Sequence, residues 1–175
     1  MKTLVVYESM FGSTRRIAEA VVDALRPSGD VTVAIAAEAP TALSGYGLVV
    51  VGAPTHGHTL PQEASRKEAS AWAEDGKRDL ALEADALRPG VREWLEHVAL
   101  SAPAPRFAAF STRADMPRIF AGDATAAIRR RLHRHHIILD AHEDFLVDSD
   151  SHLLPGEQQR AHDWARTLVP VASRR

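Results

Sequence analysis

The amino terminus of the chain joins a short apolar segment to a polar turn and an amphipathic helix. Residues 3–7 read Thr-Leu-Val-Val-Tyr, residues 8–14 read Glu-Ser-Met-Phe-Gly-Ser-Thr, and Ile17, Val21 and Leu25 then recur at helical spacing. This pattern predicts a strand, a turn and a helix. The first amides of a helix lack partners inside the helix, and the helix dipole favours negative charge at that end. We therefore predict an anion site at this turn.

The residues of the turn limit which phosphate it can bind. A nucleoside triphosphate loop needs Gly-Lys-Ser/Thr at the helix start, and a dinucleotide loop needs three spaced glycines. Neither pattern occurs in residues 8–14. Ser9, Ser13 and Thr14 instead offer hydroxyl donors around one anion-sized space, and Gly12 is free to take a left-handed conformation. A terminal monophosphate fits best, while plain capping of the helix by these hydroxyls is the alternative.

A second apolar segment leads into a second loop of the same kind. Residues 47–52 form an unbroken apolar run, typical of a buried parallel strand, and residues 53–59 read Ala-Pro-Thr-His-Gly-His-Thr. Ligands of open α/β sheets bind beyond the carboxyl ends of strands, where the strand order reverses. We therefore expect both loops to face one crevice.

The remaining segments alternate between strand and helix patterns. Such alternation predicts an α/β fold with a parallel sheet and helices on both faces. The further strands are predicted at residues 31–35, 106–111 and 137–139, the last resuming at 145–147; helices are predicted at 124–134, capped by Asp123, and at 157–169, and a short helix or loop at 39–46.

Length and composition bound the class of protein. A chain of 175 residues with 45% hydrophobic content predicts a single domain over residues 1–175. A net charge of −2 disfavours nucleic acid as a partner, and the lack of cysteine excludes disulfides and thiolate metal sites. No signal peptide and no bilayer-spanning run is evident, so we expect a cytoplasmic protein without a membrane partner.

Residues 62–100 do not fit a minimal version of this fold. The first part is polar and alanine-rich, with Trp72 among charged residues, whereas residues 91–98 regain apolar helical spacing. We expect the later part to pack on the sheet. The earlier part is interpreted as a polar helical excursion that is either solvated or a subunit contact, and charge runs favour the solvated alternative.

Residues 9–14 resemble the phosphate loop of the flavodoxin-like family, which has the pattern Ser/Thr-x-Thr-Gly-x-Thr. Phe11 stands where the family has a hydroxyl donor. Residues 52–56, Gly-Ala-Pro-Thr-His, are similar to the second flavin loop of the family, Gly-x-Pro-Thr-x. The resemblance implies a flavodoxin-like, doubly wound, five-stranded parallel sheet of order 2-1-3-4-5, and flavin mononucleotide (FMN) as the cofactor.

The resemblance also implies which residues bind the cofactor. Family members commonly flank the flavin ring with aromatic side chains from the second loop and from the loop after the fourth strand, but neither loop of this chain carries tyrosine or tryptophan. The implied cofactor-binding residues are Ser9, Met10, Phe11, Gly12, Ser13 and Thr14 in the first loop, Pro54, Thr55, His56, Gly57 and His58 in the second, and Ser111, Thr112 and Arg113 after the fourth strand.

Three functions remain open from the sequence. A cation at Arg113 near the flavin would ease two-electron chemistry, as in FMN-dependent NAD(P)H:quinone-type oxidoreductases. Without it, the chain would be a one-electron carrier for a partner reductase, and a flavin-free interaction module on the same scaffold is the third alternative. FMN would carry the electrons, so no protein residue is predicted to be catalytic. The acceptor is either a redox partner protein or a small molecule, and the oligomeric state is open.

A metal site is the weaker interpretation of the histidines. His56 and His58 are spaced to meet one ion, but a closed site needs further ligands, and only His142, Glu143 and Asp144 offer them from a distant part of the sequence. We predict no metal.

Overall fold

The computed structural model describes residues 1–56, 58–100, 102–117 and 121–169. Strands and helices alternate along this part of the chain. The strands are β1 Thr3–Tyr7, β2 Val31–Ile35, β3 Leu48–Pro54, β4 Arg106–Ala114 and β5 Leu139–Val147. The α-helices are α1 Ser13–Leu25, α2 Glu63–Glu74, α3 Val91–His97, α4 Ala124–Arg134 and α5 Glu157–Thr167, and a 3-10 turn at Arg26–Ser28 follows α1.

The five strands form one parallel sheet of order β2-β1-β3-β4-β5, as predicted. β1 lies at the centre of the reversal: Val5 pairs with Val33 of β2 on one side and with Val50 of β3 on the other. The carboxyl ends of β1 and β3 therefore open on the same edge of the sheet, at the point where the strand order reverses.

Each face of the sheet is covered by its own apolar cluster. Val5, Val50 and Phe110 pack against α1 and α5 on one face. Leu4 and Val49 pack against α3 and α4 on the other. Because β1 and β3 are buried from both faces, their continuous apolar sequence matches their position, and the prediction of helices on both faces is confirmed.

Several predicted boundaries differ from the observed ones. β4 continues to Ala114 because it pairs with β5 from Phe107 to Ala114. β5 is one strand, not two pieces, because an edge strand tolerates polar residues such as Asp140, His142 and Glu143. Residues 39–46 form turns without a helix. Asp123 caps α4 as predicted, its Oδ1 accepting from the amide of Ala126 at 2.7 Å.

Within the described residues, no helix combines the length and the apolar character needed to cross a bilayer. The apolar part of the predicted excursion packs on the sheet as expected, since Val91, Trp94 and Leu95 of α3 belong to the cluster on that face. The polar part forms α2 and the turns that follow it.

Candidate functional site

The loop after β1 turns sharply before α1. Gly12 precedes the helix with φ of +91°, a conformation that side chains rarely adopt, so glycine is required there. Its amide donates to Ser9 Oγ at 3.1 Å. This short bond closes the loop and sets the direction in which α1 begins.

The hydroxyls of the loop do not surround one space, contrary to our expectation. Ser9 Oγ accepts from Gly12, and Ser13 Oγ donates to the carbonyl of Ser151. Thr14 Oγ1 lies 2.7 Å from Thr112 Oγ1, which joins the start of α1 to the end of β4. Short polar side chains commonly satisfy nearby backbone groups in this way.

The free donors at this loop are backbone amides. No side chain caps α1, and its first turn carries no acidic residue. Among the described residues, none accepts a hydrogen bond from the amides of Ser13, Thr14 or Arg15. Unpaired amides at the positive end of the helix dipole attract an anion, so the predicted anion site has its donors in the main chain rather than in hydroxyls.

A cleft of about 340 Å³ lies beside these amides. It is bounded by the carboxyl ends of β1, β3, β4 and β5 and by the region of α2, which is where an open α/β sheet binds ligands. Its wall consists of Met10, Phe11, Ser13, Thr14, Pro54, Thr55, His56, Trp72, Arg78, Thr112, Arg113, Ala114, Met116, Val147, Asp148, Ser149 and Ser151.

Thr55 presents an unsatisfied polar atom in this wall. Its amide donates to the carbonyl of Thr112 at 2.8 Å, which fixes the residue at the end of β3. Its Oγ1 is buried without a hydrogen-bond partner among the described residues. Because a buried hydroxyl without a partner is unfavourable, this atom is suited to bond a ligand in the cleft.

Most of the predicted site residues come together in the wall, and four of the described ones do not line it. Gly12 lies in the turn before α1. Ser111 is fully buried and donates to Asp144 Oδ1 at 2.8 Å. His58 is exposed, and its carbonyl accepts from the amide of Asp123. Ser9 lines a different cavity, described below. Gly57 is outside the described residues.

The charge of Arg113 is offset by a neighbouring carboxylate. Its Nε lies 3.4 Å from Asp144 Oδ2, and its Nη1 donates to the carbonyls of Met116 at 2.8 Å and Ala114 at 3.2 Å. Its side chain is only 15% exposed. Arg113 therefore stabilises the backbone at the end of β4, and it is not a free cation in the cleft.

Two of the wall residues that the sequence did not indicate come from the polar stretch after β3. Trp72 of α2 lies against the ring of His56, with centroids 5.5 Å apart, and the guanidinium of Arg78 lies 5.3 Å from the indole centroid. Both belong to the stretch expected to be solvated or in a subunit contact. A lone tryptophan in a charged segment was the available signal, but only tertiary packing shows where it lies.

The segment from α2 to residue 90, which we call the α2 segment (residues 63–90), is fastened to the loop after β1. Met10 packs on Ala69 and Ala86, and its carbonyl accepts from the amide of Glu83 at 2.9 Å. Arg15 Nε pairs with Glu83 at 2.6 Å. The polar excursion thus forms one side of the site, an arrangement that neither sequence alternative described.

A buried charged cluster makes a further link. Arg66 Nε bonds Glu8 Oε1 at 2.7 Å, and its two Nη atoms bond both oxygens of Glu93. Glu8 Oε2 also accepts from the amide of Val91 at 3.0 Å. Burial raises the pKa of the Glu8 carboxyl, and the hydrogen bond and charge of Arg66 oppose that shift. The cluster joins the first residue after β1 to α2 and α3.

A second cavity of about 260 Å³ separates the loop after β1 from the end of β2. Tyr7, Ser9, Arg15 and Arg88 contribute to its wall. Burial and the nearby Glu83 raise the pKa of Tyr7, so its hydroxyl stays protonated at neutral pH. Arg15 is already paired with Glu19 and Glu83, and the second cavity therefore has little uncompensated charge.

His56 is a neutral ring in the cleft wall. Burial lowers its pKa below the ordinary value, and the carboxylate of Glu68 offsets this only in part. Its ring centroid is 6.5 Å from that of Phe11. Among residues that the structure describes, no group of three or more histidine or carboxylate side chains is placed to hold a metal ion.

Comparison with known proteins agrees with this geometry. A family model described as flavodoxin domain matches residues 4–66, which include β1, the loop after it, and β3 with its loop. The chain also superposes on a flavodoxin from the domain Archaea with a TM-score of 0.60 and 16% identity, over 96% of both chains. The chain therefore has a flavodoxin-like fold.

Other solved structures show the same flavodoxin-like fold. Oxidised flavodoxin 1 from Bacillus cereus gives a TM-score of 0.61 at 15% identity, over 94% of this chain and 95% of that one. The two-electron reduced flavodoxin of Megasphaera elsdenii gives a TM-score of 0.57 at 14% identity, over 94% of this chain and 98% of that one. No curated protein matches the sequence significantly.

Proposed function

We propose that this flavodoxin-like protein binds FMN and acts as a redox protein. The observation that carries the proposal is the uncapped start of α1 at the edge of the cleft, where the amides of Ser13, Thr14 and Arg15 have no acceptor among the described residues. The cleft lies at the sheet edge where the strand order reverses, and its volume of about 340 Å³ is in the range of small-molecule sites.

The residues of the cleft fit this cofactor. The amides at the start of α1 would hold the phosphate, and the unsatisfied Thr55 hydroxyl would bond a polar group of the ligand. Phe11 and neutral His56 supply flat, weakly polar surface. When bound, a flavin accepts and releases one or two electrons, while the protein binds, orients and tunes it.

The number of electrons transferred is a separate part of the proposal. An NAD(P)H:quinone-type reaction was linked to a cation at Arg113, but Asp144 offsets that charge. With that charge offset, the cleft is compatible with a one-electron carrier for a redox partner protein and with a two-electron oxidoreductase for a small acceptor. Reductive titration distinguishes them, because two separated one-electron potentials indicate a carrier and one two-electron transition with rapid NAD(P)H-driven quinone turnover indicates an oxidoreductase.

Binding of FMN and of riboflavin, which lacks the phosphate, tests the anion site. We expect the protein to quench FMN fluorescence at low micromolar concentration or below, and to bind riboflavin at least tenfold more weakly. Equal affinity for the two would place the phosphate elsewhere. A colourless protein with no quenching would favour a flavin-free interaction module.

A charge substitution gives a matched pair of variants. Ser13→Asp places a carboxylate in the first turn of α1, where it competes with phosphate but favours the helix itself, and Ser13→Asn has the same shape without charge. We expect Ser13→Asp to bind FMN at least tenfold more weakly than Ser13→Asn does, and the two variants to bind riboflavin equally. Equal FMN affinity in the two variants would contradict the proposed position of the phosphate.

A further inference from the structure

The cleft wall lacks the ring-stacking residue that its loops would ordinarily supply. The loops after β3 and β4 carry no tyrosine or tryptophan. The indole in the described wall comes instead from Trp72, in the middle of the α2 segment. A helix outside the core of the fold therefore provides the largest aromatic surface of the cleft.

The aromatic groups of the wall form a row. The ring centroids of Phe11 and His56 are 6.5 Å apart, those of His56 and Trp72 are 5.5 Å apart, and the Arg78 guanidinium lies 5.3 Å from the Trp72 centroid. The planes are tilted by 43° and 40° and are not stacked. Trp72 remains 37% exposed, so part of its indole surface is accessible to a ligand.

Arg78 and Arg113 differ in whether a neighbouring carboxylate offsets their charge. In the part of the chain that the structure describes, no carboxylate forms a salt bridge with Arg78, whereas Asp144 offsets Arg113. The neighbouring Lys77 is paired with Asp75 at 3.0 Å. Arg78 therefore brings uncompensated positive charge to the cleft wall, and its contact with the indole orients it there.

We propose that Trp72 and Arg78 form the surface on which the flavin ring binds, so that the α2 segment is part of the cofactor site. This inference rests on the proposed function. The indole buries the flat face of an aromatic ligand, and the guanidinium favours negative charge on that ligand. The attachments of the segment at Met10, Arg15 and Arg66 hold this surface against the loop after β1.

Substitution of Trp72 tests whether the flavin ring binds on the indole. Trp72→Ala is expected to weaken both FMN and riboflavin at least tenfold and to reduce the induced circular dichroism of the flavin bands, whereas Trp72→Phe stays within about threefold of wild type. Leu87→Ala is the control, because Leu87 is an exposed apolar side chain of the same segment outside the cleft. Its affinities and flavin spectrum should be those of wild type.

Substitution of Arg78 tests whether its positive charge acts on the bound flavin. Arg78→Gln removes the unpaired charge, and Lys77→Gln removes the paired charge next to it. We expect Arg78→Gln to shift the midpoint potential of bound flavin to a more negative value, because reduction adds negative charge, and Lys77→Gln to leave it unchanged. The same potential in both variants would overturn the role of Arg78.

The two levels of the proposal fail in different ways. If wild-type protein binds no FMN, the proposed function itself is wrong. If wild type binds FMN while Trp72→Ala binds it equally well with an unaltered flavin spectrum, only the ring surface is assigned wrongly. Far-ultraviolet circular dichroism of each variant shows whether it is folded, and Trp72→Phe keeps the test valid if Trp72→Ala is not.

Discussion

His56 shows how burial of one side chain sets its protonation. Because its pKa is lowered, we predict that the ring is more than half neutral at pH 6.5, the ordinary pKa of a histidine side chain. NMR titration of the ring protons, assigned with His56→Gln, measures this. A pKa at or above the ordinary value would contradict the burial seen here.

The same shift predicts the pH dependence of stability. The unfolded chain binds a proton at His56 at a higher pH than the folded protein does, so the contribution is complete above pH 6.5 and is lost as the pH falls towards the folded pKa. The free energy of unfolding of wild type should therefore decrease more than that of His56→Gln between pH 7 and pH 5. Urea titrations at several pH values provide the comparison.

Gly52 tests packing inside the sheet. A Cβ at this position of β3 would overlap the ring of Phe110, a fully buried side chain. We expect Gly52→Ala to destabilise the protein by about 1–3 kcal/mol, the range for overpacked cores. Gly47→Ala is the control, because its Cβ would meet mainly the flexible side chain of Met1. Urea denaturation giving equal midpoints for the two would contradict this account.

At the level of elements, the buried cluster predicts a coupling between β1 and α2. Arg66→Met leaves the Glu8 carboxylate, 5% exposed, without its guanidinium, and should destabilise the protein by about 3–5 kcal/mol. Adding Glu8→Gln to Arg66→Met removes the buried charge and should restore at least about 1 kcal/mol of the free energy of unfolding.

Chemical denaturation of the single and double variants measures this coupling. Lys67→Met, which breaks only the exposed pair with Glu63, is the control and should unfold like wild type. A double variant less stable than Arg66→Met would show that the charge of Glu8 is not what destabilises the single variant.

The elements that could be predicted are those whose sequence reports local burial. β1 and β3 are apolar throughout because both of their faces are covered, and Asp123 marks the start of α4 by its capping hydrogen bond. The prediction of β5 as two pieces is wrong because polar residues interrupt the apolar sequence of this edge strand. The position of α2 could not be predicted, since it depends on Arg66 and Met10 meeting residues far away in the sequence.

At the level of the whole molecule, a ligand of the native state should raise the melting temperature. FMN at 100 times its dissociation constant stabilises a protein by about 2.7 kcal/mol if the unfolded chain does not bind it. For a chain of this size that corresponds to a rise of about 5–10 °C. Thermal unfolding with FMN, and with riboflavin at the same concentration, measures it; a rise no larger with FMN than with riboflavin would contradict the phosphate site.

The topology and the site were predictable to different degrees. The order of the strands followed from the resemblance of residues 9–14 and 52–56, and those loops do meet at one cleft. The hydroxyls of Ser9, Ser13 and Thr14 were expected to point into one space, yet each is bonded within the protein. Side-chain direction in a short polar loop depends on neighbours such as Ser151 that the local sequence does not specify.

The arrangement around Arg66 also restricts how such a chain can diverge. One guanidinium bonds two acids from different elements, so a change at Arg66 leaves the buried Glu8 carboxylate without its ionic partner, and a change at either acid leaves part of the buried guanidinium unbonded. Simultaneous replacement of Glu8, Arg66 and Glu93 by apolar residues would cost little stability in related sequences. Replacement one residue at a time would pass through poorly folded variants. The trio is thus expected to be inherited or lost as a set.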